Sequence, residues 1–187
     1  QNAPQAIVHE CGFEELQSAG AFDLCLFSES FQYIPLPLAL QKAQSLLVPG
    51  GEILIGDCFR AESFPAGSTE YIVGGGHRVT DFRKHLGSLP LRVLAEEDIT
   101  EAVAPSIDLE QGLFNVLGVG LSGFEAQIKA KRPVKHWLLH RALRLVMNDA
   151  KRLRLSRRLF ERARTSQAFI EHNRYLLIRL TTAIQPN

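Results

Sequence analysis

The chain has 187 residues, 45% hydrophobic and 22% charged, an ordinary globular composition that suits one domain with a sizeable core. Its net charge of +1 supplies no global field for nucleic acid. Three cysteines without CxxC spacing argue against a disulfide framework or a zinc site and read as buried, reduced thiols of a cytoplasmic protein.

In chain order, Ala6–His9 is a short apolar strand candidate, followed by a polar loop from Cys11 to Leu16 in which Glu14 and Glu15 follow Phe13. Phe22–Phe27 is apolar except for Asp23, the pattern of a strand covered on both faces in a parallel sheet. Leu36, Leu40, Ala43 and Leu47 recur at helical spacing, with Gln41, Lys42 and Gln44 left for solvent. Pro49-Gly50-Gly51 is expected to end that helix in a turn. Glu52–Phe59, rich in Ile and Leu, is the next buried strand. Strand, helix, turn and strand make a right-handed βαβ unit.

Arg60–Arg78, with Pro65, Gly67 and three consecutive glycines at Gly74–Gly76, reads as a loop of the kind that lines a site. Thr80–Leu86 is expected to be a helix with Thr80 as N-cap. Leu91–Ile99 and Arg174–Leu180 have strand character, and Ile107–Arg164 between them is mostly helical. Lys and Arg crowd the stretch from Lys129 to Arg164, where acids are few. No apolar run approaches the roughly 20 residues of a membrane span. Gln1–Gln5 has neither the basic nor the apolar part of a signal peptide. The chain lacks an initiator Met and is read as processed or as part of a longer protein.

Phe22-Asp23-Leu24, Leu46-Leu47-Val48-Pro49-Gly50-Gly51 and Asp98-Ile99-Thr100 with Pro105 together resemble the class I S-adenosylmethionine-dependent methyltransferases. The likeness runs from that fold's third strand to its seventh. The helical insert, residues 107–165, looks like the segment that covers the acceptor pocket in small-molecule methyltransferases of the tocopherol and sterol type. The resemblance implies an α/β Rossmann-like sheet with an antiparallel pair at one edge, S-adenosylmethionine as cofactor and a small-molecule acceptor. The resemblance implies that the Gly-x-Gly turn that opens such domains precedes Gln1, since Gly74-Gly75-Gly76 follows a strand instead of opening a βα unit, so the chain is expected to be the C-terminal portion of a longer enzyme, inactive alone.

In an open parallel sheet, ligands bind beyond the carboxyl ends of the strands. Ser28 and Glu29 are expected at the carboxyl end of one such strand and Asp57 at the end of the next. The resemblance implies that Ser28, Glu29 and Tyr33 face the methionine end of the cofactor and that Phe13 and Glu14 border its adenine. Tyr33, Asp57, Tyr71 and His77 fall to the acceptor side. Glu29 either hydrogen-bonds the cofactor or a helix N-terminus, or orients substrate as a base. His77 is the candidate for taking an acceptor proton, against the plainer reading of a solvated loop histidine. Tyr33 and Tyr71 read equally as pocket wall and as packing.

His136 and His140 share a helix face, but no third ligand or HExxH pattern accompanies them, so no metal is expected. No Asn/Asp-Pro-Pro-Tyr pattern follows Phe27, which argues against base methylation. No nucleic-acid partner is expected. The rival reading is a degenerate methyltransferase-like module that docks a partner or an anionic membrane through its basic helices.

Overall fold

The computed structural model describes residues 7–17, 20–65, 73–161 and 164–182. They form two compact units: a sheet unit (within 7–65, 74–100 and 172–182) and a helical unit (73 and within 101–171). Among the described residues no helix is long and apolar enough to cross a membrane.

The sheet unit has four strands, β1 (Phe22–Ser28), β2 (Leu47–Arg60), β3 (Leu91–Asp98) and β4 (Asn173–Thr182), in the order β1-β2-β4-β3. β1 and β2 are parallel, while β4 lies between β2 and β3 and runs antiparallel to both. The crossover helix α1 (Leu36–Leu46) buries Leu36, Ala39, Leu40, Ala43 and Leu46, the apolar stripe that its period requires. Helix α2 (Val79–Leu86) buries Val79, Phe82 and Leu86 in the same way. Both helices contribute to one core with Ile53, Ile55 and Phe59 of β2 and Leu176, Ile178 and Leu180 of β4. Those strand residues alternate, because successive side chains of a strand point to opposite faces.

Four local expectations are corrected. Ile7–His9, the described part of the first strand candidate, is irregular, with Ile7 and Val8 both 83% exposed; no described strand lies beside it to complete a ladder. Pro49-Gly50-Gly51 does not separate α1 from the next strand. β2 already begins at Leu47, and pairing with β1 jumps from Phe22–Leu47 to Leu24–Glu52. The turn residues are thus absorbed as a bulge within the strand. Thr80 sits inside α2, whose N-cap is Arg78 without a side-chain cap. Of the three cysteines, all free thiols, Cys58 is buried, Cys25 half-buried and Cys11 exposed. Burial raises the Cys25 thiol to about 11, so it stays protonated.

A chain of ring contacts fastens the core to the carboxyl end of β1. Phe13, in a short 3-10 turn (Phe13–Glu15), meets Phe27 edge-on at 5.0 Å. Phe27 meets Phe31 at 5.3 Å, and Phe31 in turn meets Phe59, Phe82 and the His77 ring at 6.1, 5.9 and 5.5 Å. The triple glycine returns beside β2: Arg60 N donates to His77 O (2.8 Å), and a Cβ on Gly76 (φ +94°) would lie 1.8 Å from Cys58 O. Only glycine fits that approach.

In the helical unit, α4 (Pro105–Lys131) carries α5 (Pro133–Val146) and α6 (Asp149–Phe160) on its sides. The α4–α6 contact is polar and small. Gln111 Nε2 donates to the carbonyls of Arg158 and Glu161 (3.0 Å each) and Asn115 Nδ2 to that of Leu159 (3.0 Å). These bonds serve carbonyls at the end of α6 that have no partner within the helix. Gly118 lets the backbones meet, since a Cβ there would sit 2.5 Å from Leu159 O. A short α3 (Thr100–Val103) and α7 (Ser166–His172) complete the elements.

Phe31→Ala is expected to cost about 3–5 kcal/mol in denaturant unfolding, because it removes the buried ring that four others share. Gly76→Ala is expected to cost more than about 2 kcal/mol through positive φ and the clash with Cys58 O. A loss below 1 kcal/mol, roughly the scale of a surface change, would contradict either account.

Candidate functional site at the carboxyl ends of β1 and β2

The end of β1 lies beside the later part of β2: Ser28 pairs with Gly56, Glu29 N donates to Gly56 O (3.0 Å), and β2 runs on to Arg60. Beyond Ser28 the chain turns sharply, with Glu29 at φ +54°, a left-handed conformation that costs energy for any residue with a Cβ and concentrates at functional sites. A 3-10 turn, Phe31–Tyr33, follows and leads toward α1.

Asp57 holds this turn. It is fully buried, and its carboxylate accepts from Gln32 N (3.1 Å) and Cys58 N (2.7 Å). Burial raises its pKa above the usual carboxylate value, the charge of Glu29 adds to the rise, and the backbone hydrogen bonds oppose it. From the other side, His77 Nε2 reaches the carbonyls of Phe31 (3.2 Å) and Ile34 (3.0 Å). Contact with two acceptors makes Nε2 the protonated nitrogen and leaves Nδ1 as the basic atom. His77 is therefore half-buried and tied to the turn, which corrects the plainer reading of a solvated loop histidine.

The third strand at this end is β4, whose first residues run antiparallel to β2 and pair Cys58 with Tyr175. The Tyr175 hydroxyl donates to Glu29 Oε1 in a very short contact. Burial raises the Tyr175 phenol, and the bond to Glu29 raises it further, so it remains a donor across the physiological range. Tyr175 N donates to Thr100 Oγ1 (2.8 Å), and Thr100 N and Oγ1 both donate to Asp98 Oδ1. A hydrogen-bonded rim thus links the tips of β1, β4 and β3.

Ser28, Glu29, Tyr33, Asp57 and His77 are therefore brought to one end of the sheet. Tyr33 is 79% exposed there. Phe13 packs against the core and meets Phe27, next to the β1 tip, edge-on, and Glu14 beside it is exposed. Tyr71 lies outside the described residues. Tyr175, Gln32 and Thr100 were not expected as partners of the site. Tyr175 stands out in the sequence as a lone phenol at the head of an apolar strand, but its pairing with Cys58 and Glu29 depends on the position of β4. In the helical unit His136 Nε2 lies 3.3 Å from Glu125 Oε1; the His140 side chain lies outside those described.

No family model matches the chain, and no curated protein matches it by sequence. Solved structures do match. One, from Galdieria sulphuraria and described as a sarcosine dimethylglycine methyltransferase, has a TM-score of 0.55 at 11% identity and covers 94% of this chain and 59% of its own. Geranyl diphosphate C-methyltransferase from Streptomyces coelicolor A3(2), solved with Mg2+, geranyl diphosphate and S-adenosyl-L-homocysteine, has a TM-score of 0.52 at 14% identity, covering 92% and 52%. The [4+2]-cyclase SpnF has a TM-score of 0.50 at 13% identity, covering 94% and 55%. The chain has the Rossmann-like fold of the class I methyltransferases and spans between half and three fifths of the length of these three structures. The cyclase among them is a reminder that one fold carries more than one chemistry.

The raised Asp57 has a definite sign. The folded protein holds this proton more tightly than the unfolded chain does. Its contribution to stability is full below the ordinary carboxylate pKa of about 3.9 and is lost as pH rises through the folded value. The difference in unfolding free energy between wild type and Asp57→Asn should therefore move in favour of wild type as pH is lowered from near 7 to near 4. A difference independent of pH would contradict the burial account.

Proposed function

We propose that the protein is the C-terminal part of an S-adenosylmethionine-dependent methyltransferase that methylates an oxygen, nitrogen or carbon of a small molecule. One observation carries this reading: β1 ends at Ser28 parallel to and paired with Gly56 of β2, which brings Glu29 and Asp57 together toward the carboxyl end of the sheet. The shared fold raises the prior, and the solved relative with S-adenosyl-L-homocysteine names the cofactor class. The three free thiols support a cytoplasmic setting.

The residues fit the sulfonium end of such a cofactor. S-adenosylmethionine, when bound, supplies an electrophilic methyl group on a positively charged sulfur. A carboxylate at Glu29, fixed by the Tyr175 hydroxyl, favours a cation at short range. Ser28 offers a hydroxyl beside it. Asp57 and His77 hold the turn that carries Tyr33, so the wall is set before ligand arrives. Phe13 and Glu14 are assigned to the adenine side, and Tyr33, Tyr71 and His77 to the acceptor side. Methyl transfer is an in-line displacement: the acceptor–carbon bond forms as the carbon–sulfur bond breaks and the electron pair stays on sulfur. Alignment and exclusion of water supply most of such a rate. An acceptor that keeps its proton at neutral pH needs a base, and Nδ1 of His77 is the candidate atom.

Calorimetric titration of the full-length protein with S-adenosylhomocysteine should give saturable binding, and none at millimolar ligand would overturn the proposal. Glu29→Ala should weaken that affinity about 10-fold or more, given the ~1.5–3 kcal/mol of a charge-assisted contact. Unchanged affinity in this variant would remove Glu29 from the site.

A further inference from the structure

Among the described residues of the helical unit, many large apolar side chains face outward. On α4 the face toward α6 carries Gln111, Asn115 and Gly118, while Leu109, Leu113, Val116 and Phe124, on the opposite side at helical spacing, are each at least 60% exposed. On α5, Val134, Trp137 and Leu138 are each more than half exposed. Their face is fixed by His136, which turns toward Glu125 of α4. A soluble helix normally has the reverse polarity, and exposed apolar area of this extent marks a contact surface.

The rim of this surface is cationic. Where α4 meets α5, Phe124, Gln127, Ile128, Lys131, Arg132 and Lys135 line an open cleft of ≈ 490 Å³. From Lys129 to Arg164 the sequence holds thirteen Lys and Arg against two acids, Asp149 and Glu161. The Arg141 guanidinium lies 5.3 Å from the Trp137 ring. Aliphatic stripes offer nothing to a phosphodiester backbone or a base edge, which disfavours nucleic acid. An acidic protein partner would match the charge but would leave the long aliphatic stripe of α4 without a reason. A bilayer matches both: acyl chains for Leu109, Leu113, Val116 and Phe124, anionic headgroups for Lys131, Arg132 and Lys135, and the headgroup boundary for Trp137.

We infer that the α4–α5 face lies on anionic lipid bilayers, with its apolar stripe in the headgroup–acyl boundary and Lys131, Arg132 and Lys135 on lipid phosphates. The inference does not depend on methyl transfer and holds or fails separately from it.

Trp137 is the only tryptophan of the chain, so its fluorescence reads the proposed face directly. The protein is titrated with vesicles of phosphatidylcholine alone and with about one third phosphatidylglycerol. Blue-shifted emission and quenching by brominated acyl chains are expected with the anionic vesicles only. The effect should vanish near 1 M salt, where the Debye length is about 3 Å. A triple charge reversal (Lys131→Glu, Arg132→Glu, Lys135→Glu) should weaken binding on the order of 100-fold or more. These residues are exposed, and an unchanged circular dichroism spectrum verifies the fold. Phe124→Asp should weaken binding while leaving its salt dependence in place. Several results would overturn the inference. One is an unchanged Trp137 spectrum with anionic vesicles, even if the protein co-floats with them. Another is a shift with single-stranded RNA and not with vesicles. A third is blue emission without lipid that reddens on dilution, which would mean a second copy covers the face.

Discussion

Phe31 is fully buried just after the β1 tip, where four rings converge on it from β1, β2, α2 and the loop that ends in His77. Each such ring pair adds about 0.5–1.5 kcal/mol beyond the area it buries. The position of Phe31 matters as much as the energy. It is the first residue of the turn that follows Glu29, so burying its ring fixes the backbone from Ser28 to Ile34. The polar contacts of that turn, Asp57 to Gln32 N and His77 to two carbonyls, then form around an anchored frame. The left-handed conformation at Glu29 persists because both of its flanks are held.

The polar rim depends on β4. An antiparallel strand entering between β2 and β3 puts its first residues at the carboxyl ends of β1 and β2. Tyr175 therefore meets Glu29 across more than a hundred residues of sequence. Asp98 and Thr100, at the end of β3, support the backbone of Tyr175. The carboxylate of Glu29 is held by a hydroxyl whose own position is set two strands away, an arrangement that limits side-chain freedom before any ligand binds. The same end of the sheet combines a buried acid, an exposed acid and a neutral phenol, a mixture suited to a compact cation.

The helical unit follows a different logic. Its α4–α6 contact uses amides and a glycine, which specify a close approach through hydrogen bonds. That frees the aliphatic residues of α4 to face out. Arg158 ties this packing further, lying 4.0 Å from the Phe114 ring and 2.7 Å from Glu110. A helix pair joined through amides and a glycine as well as Leu159, with the aliphatic stripe of α4 exposed, has the polarity expected of a surface that meets lipid.

The amino-acid sequence by itself determined β1, α1, most of β2, α2, β3, the helical stretch and β4, because hydrophobic period is a local property written every two or every 3.6 residues. It also placed Ser28 and Glu29 at the end of β1, since a strand end is set by the same local pattern, whereas Asp57, expected at a strand end, lies inside β2, which pairing with β4 carries on to Arg60. It misjudged Pro49–Gly51, where turn residues became a bulge once β1 offered Leu47 a partner, and Ile7–His9, where apolar residues found no neighbouring strand. Only the tertiary structure decided that β4 runs between β2 and β3, that Tyr175 holds Glu29, that His77 is tied to a turn, and which face of α4 looks outward. Pairing partners and burial are relations between distant segments, fixed by packing and hydrogen-bond geometry that no short window of sequence contains.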